Sequence, residues 1–253
     1  MSAMECVIGF VLSASAGAVA QDQEEPSRIE ERAAEVLKKA SALLAGSNRF
    51  AFEAEETYDE ILDAAIRVQL SNVRGIAVSR PNHAATNVDG DTMSRSAWYD
   101  GKTLTLLDKQ QNAYSTVDAP ASLDETLDFV MEKYGVVLPL ADVLYSDPYD
   151  ALASDASFGA YLGLHQVGGV ACHHLAFANE SLDWQIWIDA GEKPLLRKLV
   201  ITYKDEPGEP QYIARFFKWN LQAELPESLF QFEPPEGAEK MEASALLTAE
   251  EKK

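Results

Sequence analysis

Two cysteines and four histidines are all that 253 residues offer of thiol and imidazole metal ligands. Cys6 falls in an N-terminal apolar run expected to leave with a leader, so Cys172 stands alone. A lone cysteine closes no internal disulfide, and the fold cannot depend on one. No basic cluster beside Cys172 would lower its thiol pKa, so a small buried hydrophobe is expected. Basic residues are also scarce. Lys and Arg number 21 against 41 Asp and Glu, a formal net charge of -20. Such a surface repels phosphate backbones and anionic headgroups, which argues against nucleic acid and acidic membrane surfaces as partners. Long hydrophobic runs are missing too. Residues 6–20, CVIGFVLSASAGAVA, are apolar but too short to cross a bilayer as a mature helix. They end in Ala18-Val19-Ala20 before Gln21, an A-x-A cleavage pattern, although MSAME ahead of them carries no Lys or Arg. The expectation is a signal peptide over 1–20 cut after Ala20, an acidic linker over 21–26 and a periplasmic mature chain without an integral membrane segment.

Catalytic motifs are equally absent. No Gly-x-Ser-x-Gly elbow and no Gly-rich phosphate loop occurs. One cluster holds metal-ligand types: Cys172, His173 and His174, with His165 seven residues earlier across Gly168-Gly169. Alternation along a strand would place Cys172 and His174 on one side. A closed zinc site takes about four ligands, and neither Cys-x-x-Cys nor His-x-x-x-His spacing is present. Strand histidines are therefore expected, with no metal, no cofactor and no catalytic residue.

What the chain has in quantity is period-two hydrophobicity. Hydrophobic residues make up 47% of it, enough for one sizeable core. Ser27 and Glu30 form a capping box ahead of Ile29, Ala33, Val36, Leu37, Ala40 and Leu44, and Gly46 follows as the stop. From Arg49 the period becomes two. RFAFEAEE places Phe50, Phe52 and Ala54 on one face, and AIRVQLSNVRGIAVSRP reads as a further long strand pair. SRSAWYDGKTLTLLD is a hairpin turning at Asp100-Gly101, with Ala97 and Tyr99 sharing a face with Leu104 and Leu106. SLDETLDFVMEKYG carries a second capping box, Ser122 and Glu125; two short helices broken at Asp147-Pro148 follow. Strands resume near Phe158. In WQIWIDAGEKPLLRKLVITYK, Trp184, Ile186 and Ile188 share a face, as do Leu199, Ile201 and Tyr203. QYIARFFKWNL is read with Ile213, Phe217, Trp219 and Leu221 on one side. A frayed, charged tail is expected over 239–253.

The count is about ten or eleven strands and three or four helices, hairpin-connected and hence antiparallel. One apolar face per strand implies one covered and one wet face, and so many twisted strands curl. The inferred fold class is α+β, mainly antiparallel β: a curved half-barrel sheet with a helical lid on its concave face, spanning 27–238.

The N-terminal helix, the Arg80-Pro81 strand end, WYDGKTLTLLDKQQNAYSTV and LPESLFQFEPP resemble the LolA/LolB-type lipoprotein-carrier superfamily. LPLADVLYSDPYDAL, VGGVACHHLAF, DWQIWID and RKLVITYK look like a bacterial family of predicted periplasmic proteins of unknown function with that fold. The resemblance covers most of 27–238. It implies an incomplete antiparallel barrel whose hydrophobic cavity, closed by helices, receives acyl chains. Candidate cavity residues are Phe50, Phe52, Tyr99, Leu104, Trp184, Ile186, Ile188, Leu199, Ile201, Tyr203, Phe217 and Trp219. The expected partner is a hydrophobic small molecule or lipid. The alternative is an envelope protein recognised by a scaffold whose core is already filled.

Overall fold

The structure, a computed structural model, describes residues 28–63, 66–136, 138 and 140–247. The expected leader, the linker and Ser27 lie outside the described residues. In chain order the elements are β1 (Arg28–Ile29), α1 (Glu31–Ala45), β2 (Arg49–Ile61), β3 (Arg67–Ser79), β4 (His83–Gly90), β5 (Ser94–Tyr99), β6 (Thr103–Asp108) and β7 (Ala113–Asp118). Then come α2 (Leu123–Tyr134), a 3₁₀ turn at Ala141–Val143, α3 (Pro148–Ala153), β8 (Phe158–Val167), β9 (Val170–Ala178), β10 (Leu182–Asp189), β11 (Leu196–Tyr203) and β12 (Gln211–Asn220). A 3₁₀ turn at Glu227–Phe230, β13 (Glu239–Lys240) and α4 (Ala243–Leu247) complete the described elements.

All strands join one open, curved sheet in the order β1-β8-β9-β10-β11-β12-β2-β3-β4-β5-β6-β7-β13. Every pairing is antiparallel except the two-residue edges β1–β8 and β13–β7. Among the described residues eleven strands exceed two residues, in line with the sequence count. The central pair is β2–β3, in register over thirteen residues from Arg49↔Ser79 to Ile61↔Arg67. The stretch expected as a strand pair around Arg67–Ser79 is therefore a single strand. No described helix is long and apolar enough to cross a membrane.

The helices lie on one face. α1 buries Ala33, Val36, Leu37, Ala40 and Leu44 in one cluster with Leu175, Phe177, Ile186 and Ile188, packing on α3, β8 and β10. Its start differs from expectation. The helix begins at Glu31, and Glu30 caps it without a side-chain bond. Arg28 and Ile29 instead pair with Phe158 and Gly159, and Glu30 Oε2 accepts from Tyr161 N at 2.8 Å. Backbone pairing with the sheet edge outcompetes one more helical turn. α2 starts as read: Ser122 Oγ accepts from Glu125 N at 3.3 Å and donates to Glu125 Oε2 at 2.8 Å. Gly135 ends it in the left-handed region, φ 68°, its N–H reaching Met131 O.

Two further expectations change. The outer face is not wholly wet. Phe232 packs on Trp98 and Tyr114 with ring centroids 5.1 and 4.9 Å apart, and Phe230 lies 5.3 Å from His83. The C-terminal segment thus covers the back of β4–β7, where Thr105 and Leu107 are buried. The tail expected to fray from Glu239 is tied down in its described part, because β13 pairs with β7 and Leu246 is fully buried.

Candidate functional site: an apolar cavity beneath α2

The inner face divides into two unlike halves. Under α1 the apolar side chains close on one another, and a second pocket of about 340 Å³ opens at the polar rim between Arg32, Val36, Lys39, His173 and Asp189. Phe50, Phe52, Trp184, Ile186, Ile188 and Leu199 belong to one continuous buried cluster, with Ile201, Tyr203 and Trp219 packed against it. Trp219 stacks on Phe52 at 4.3 Å and donates from Nε1 to Leu196 O at 2.9 Å. Trp184 Nε1 donates to Leu152 O at 3.1 Å, which ties α3 to the sheet.

Under α2 it is hollow. A cavity of about 400 Å³ lies between α2 and β3–β7. Its apolar wall includes Ile76, Val88, Leu104, Leu106, Leu127 and Val130. The register explains the lining: Tyr99↔Leu104 and Ala97↔Leu106 turn four side chains inward together. The turn is centred one residue later than read, because Asp100 N donates to Thr103 O at 3.3 Å and Gly101 takes φ 85°. A pairing shift of two residues keeps every side chain on its face.

The roof is held by hydrogen bonds at its ends. Leu123 N donates to Pro81 O at 2.9 Å and Tyr99 OH to Pro120 O at 2.6 Å. Ser146 N donates to Asp124 Oδ1 at 3.0 Å and Tyr145 OH to Asp128 Oδ1 at 2.6 Å, so the turn after α2 folds back onto it. Arg80 Nη2 donates to Tyr145 O at 2.8 Å, and its guanidinium lies 5.5 Å over the Phe50 ring. Burial lowers the Arg80 pKa, partly offset by the Asp124 charge.

One end of the cavity is polar. Glu56, 1% exposed, accepts from Arg74 Nε and Tyr212 OH, each at 2.7 Å. Burial, reinforced by Glu56, raises the Tyr212 phenol well above its ordinary value. Arg95 Nε donates to Asp108 Oδ2 at 3.3 Å. Asn72 and Tyr58 complete that end.

Of the twelve cavity candidates read from the sequence, Tyr99 and Leu104 line this cavity. Phe50, Phe52, Trp184, Ile186, Ile188, Leu199, Ile201, Tyr203 and Trp219 lie in or against the solid half. Phe217 faces the opposite way. Tyr212, Ala214 and Phe216 are the inward residues of β12, and Lys218 Nζ sits 5.6 Å over the outward Phe217 ring. An irregularity between Phe217 and Asn220, with Lys218 at φ 52°, resets the alternation and returns Trp219 inward. Strict period two runs across this bulge, which is why the pattern alone groups Ile213 and Phe217 with Trp219. The residues that sequence reasoning misses are those of the α2 half, Ile76, Leu106, Leu127 and Val130 among them. Their alternation and helical spacing are visible in the sequence; that their faces stand apart is not.

His165 and His174 form a separate pair on the outer face, whereas His173 stands on the α1 side with its Nδ1 3.0 Å from Tyr161 OH. His165 Nδ1 and His174 Nδ1 are 2.8 Å apart, and His174 Nε2 meets Gln185 Oε1 at 3.0 Å while its ring stacks on Trp187 at 3.9 Å. Cys172 Sγ instead donates to Val170 O at 3.4 Å, and burial raises its pKa. Among the described residues no three His, Cys, Asp or Glu side chains stand together in a way that could hold a metal ion.

Residues 33–243 match a family model described as predicted periplasmic protein (DUF2092). No curated protein matches the chain. Solved structures similar to it include an uncharacterized conserved protein from Thermus thermophilus, 9% identical, covering 84% of this chain and 99% of that one, with a TM-score of 0.49. The lipoprotein LppX from Mycobacterium tuberculosis is 10% identical over 75% of this chain and 95% of that one, TM-score 0.41. A LolA superfamily protein from Nitrosomonas europaea is 9% identical over 79% and 97%, TM-score 0.37.

Proposed function

The chain belongs to the DUF2092 family of predicted periplasmic proteins, and from that premise we propose that it is a non-enzymatic binding protein for a hydrophobic ligand of acyl-chain character. The observation that carries this reading is the cavity between α2 and β3–β7. At about 400 Å³ it falls within the usual ligand-site range of about 300–1,000 Å³, near the lower end. That size suits one chain better than several. Its wall is mostly aliphatic, and each methylene moved from water into it contributes roughly 0.8 kcal/mol before ordering costs. Export through a leader cut after Ala20 would deliver the protein to a compartment where lipids travel between membranes.

The test is extraction of purified protein with organic solvent followed by mass spectrometry, paired with titration by a fluorescent acyl probe. The expected result is a co-purifying amphiphile, or saturable probe binding, in the wild type. Leu127→Trp places an indole in the cavity and should abolish binding while the protein stays folded. Protein that carries no amphiphile and takes up no probe would favour an envelope protein as the partner instead.

A further inference from the structure

At the polar end of the cavity the described charges are paired. Arg74 faces Glu56 and Arg95 faces Asp108, two guanidiniums against two carboxylates. Asn72 stands beside them, directly opposite Glu56 across the β2–β3 ladder. It is 6% exposed, yet its Oδ1 has no hydrogen-bond partner among the described residues. Thr86 Oγ1 is buried and unpartnered in the same way, four residues along β4 from the Gly90 that pairs with Asn72. Both side chains line the cavity. Folded proteins satisfy nearly all their buried acceptors, because an unpaired one forfeits its hydration with no return. Of the two, the more deeply buried Asn72 oxygen marks where a ligand's polar atom belongs.

Building on the reading that this cavity holds an apolar chain, we infer that its ligand is an uncharged amphiphile whose head presents a hydroxyl or amide N–H to Asn72 Oδ1. A bare hydrocarbon would seal that oxygen from water and offer it nothing. An ionised carboxylate or phosphate would bring a further charge beside two described ion pairs, and a buried charge without a counter-charge is strongly disfavoured. An uncharged donor meets the orphan oxygen and leaves both pairs intact. The chain then runs from the Asn72 end toward Leu104 and Leu127.

The test is calorimetric titration of the purified full chain with three probes that share one lauroyl chain: 1-monolauroylglycerol, methyl laurate and lauric acid. At neutral pH lauric acid is ionised. Monolauroylglycerol should bind roughly tenfold or more tightly than either of the others, the worth of one buried hydrogen bond. Asn72→Leu and Asn72→Ala should bring monolauroylglycerol down to the affinity of methyl laurate. Unchanged methyl laurate binding shows that the cavity is intact in whichever variant is scored. Equal binding of all three probes by the wild type, or a preference for lauric acid, overturns the assignment of the head but leaves the apolar reading standing. Binding of none of them overturns the apolar reading itself.

Discussion

Asp142, in the 3₁₀ turn that follows α2, has its carboxyl raised to about 6 by burial and by the neighbouring charge of Asp155. In the unfolded chain the same group titrates near ~3.9. Between those values the folded protein holds a proton that the unfolded chain has released. Stability contributed by this group is therefore lost as pH rises through about 4 to 6 and stays lost above it. Asp142→Asn should raise unfolding stability at neutral pH by up to about 3 kcal/mol and leave it nearly unchanged at pH about 3.5. Urea denaturation at the two pH values checks this, and an equal gain at both would refute it. Single side chains are also where the sequence pattern misleads. Phe217 and Trp219 are two apart and share a face in any regular strand, but Lys218 at φ 52° separates them. Nothing in the residue types FFKWN announces that bulge, because it is fixed by how β12 must bend against β2.

Among the elements, α2 is legible nearly whole, and for a local reason. Its capping box and its left-handed Gly135 are interactions within three or four residues. Ser122→Ala removes the acceptor for Glu125 N and should destabilise the protein by about 1 kcal/mol, measured as a shift of the urea midpoint at constant slope. A change below a tenth of that size would mean the cap is redundant with the Leu123 N–Pro81 O bond. α1 shows the opposite case. Glu30 has the spacing of a cap partner, yet it serves a strand 131 positions away in sequence, accepting from Tyr161 N. A local motif is present, and a distant edge strand takes its side chain. The β5–β6 hairpin lies between these cases: its faces are as read although its turn is centred one residue later, since faces depend only on parity.

In the whole molecule, the division of the inner face is the feature that matters for function. Leu37 is fully buried in the solid half. Leu37→Ala should cost about 2–5 kcal/mol of stability and leave acyl-probe affinity unchanged, whereas Leu127→Trp should do the reverse. Thermal melts run beside probe titrations separate the two, and loss of binding in a folded Leu37→Ala variant would mean the halves are coupled. The sequence by itself determined the acidic surface, the antiparallel strands, the direction most side chains face and the second helix with its caps. Each of these follows from nearest neighbours or from short periods, so it is written wherever the residues are. Only the tertiary structure decided which apolar face is filled and which leaves a pocket of about 400 Å³. Packing is a property of the volume between residues far apart in the chain. Alternation says which way Leu104 points, and it is silent on how far away Leu127 will stand.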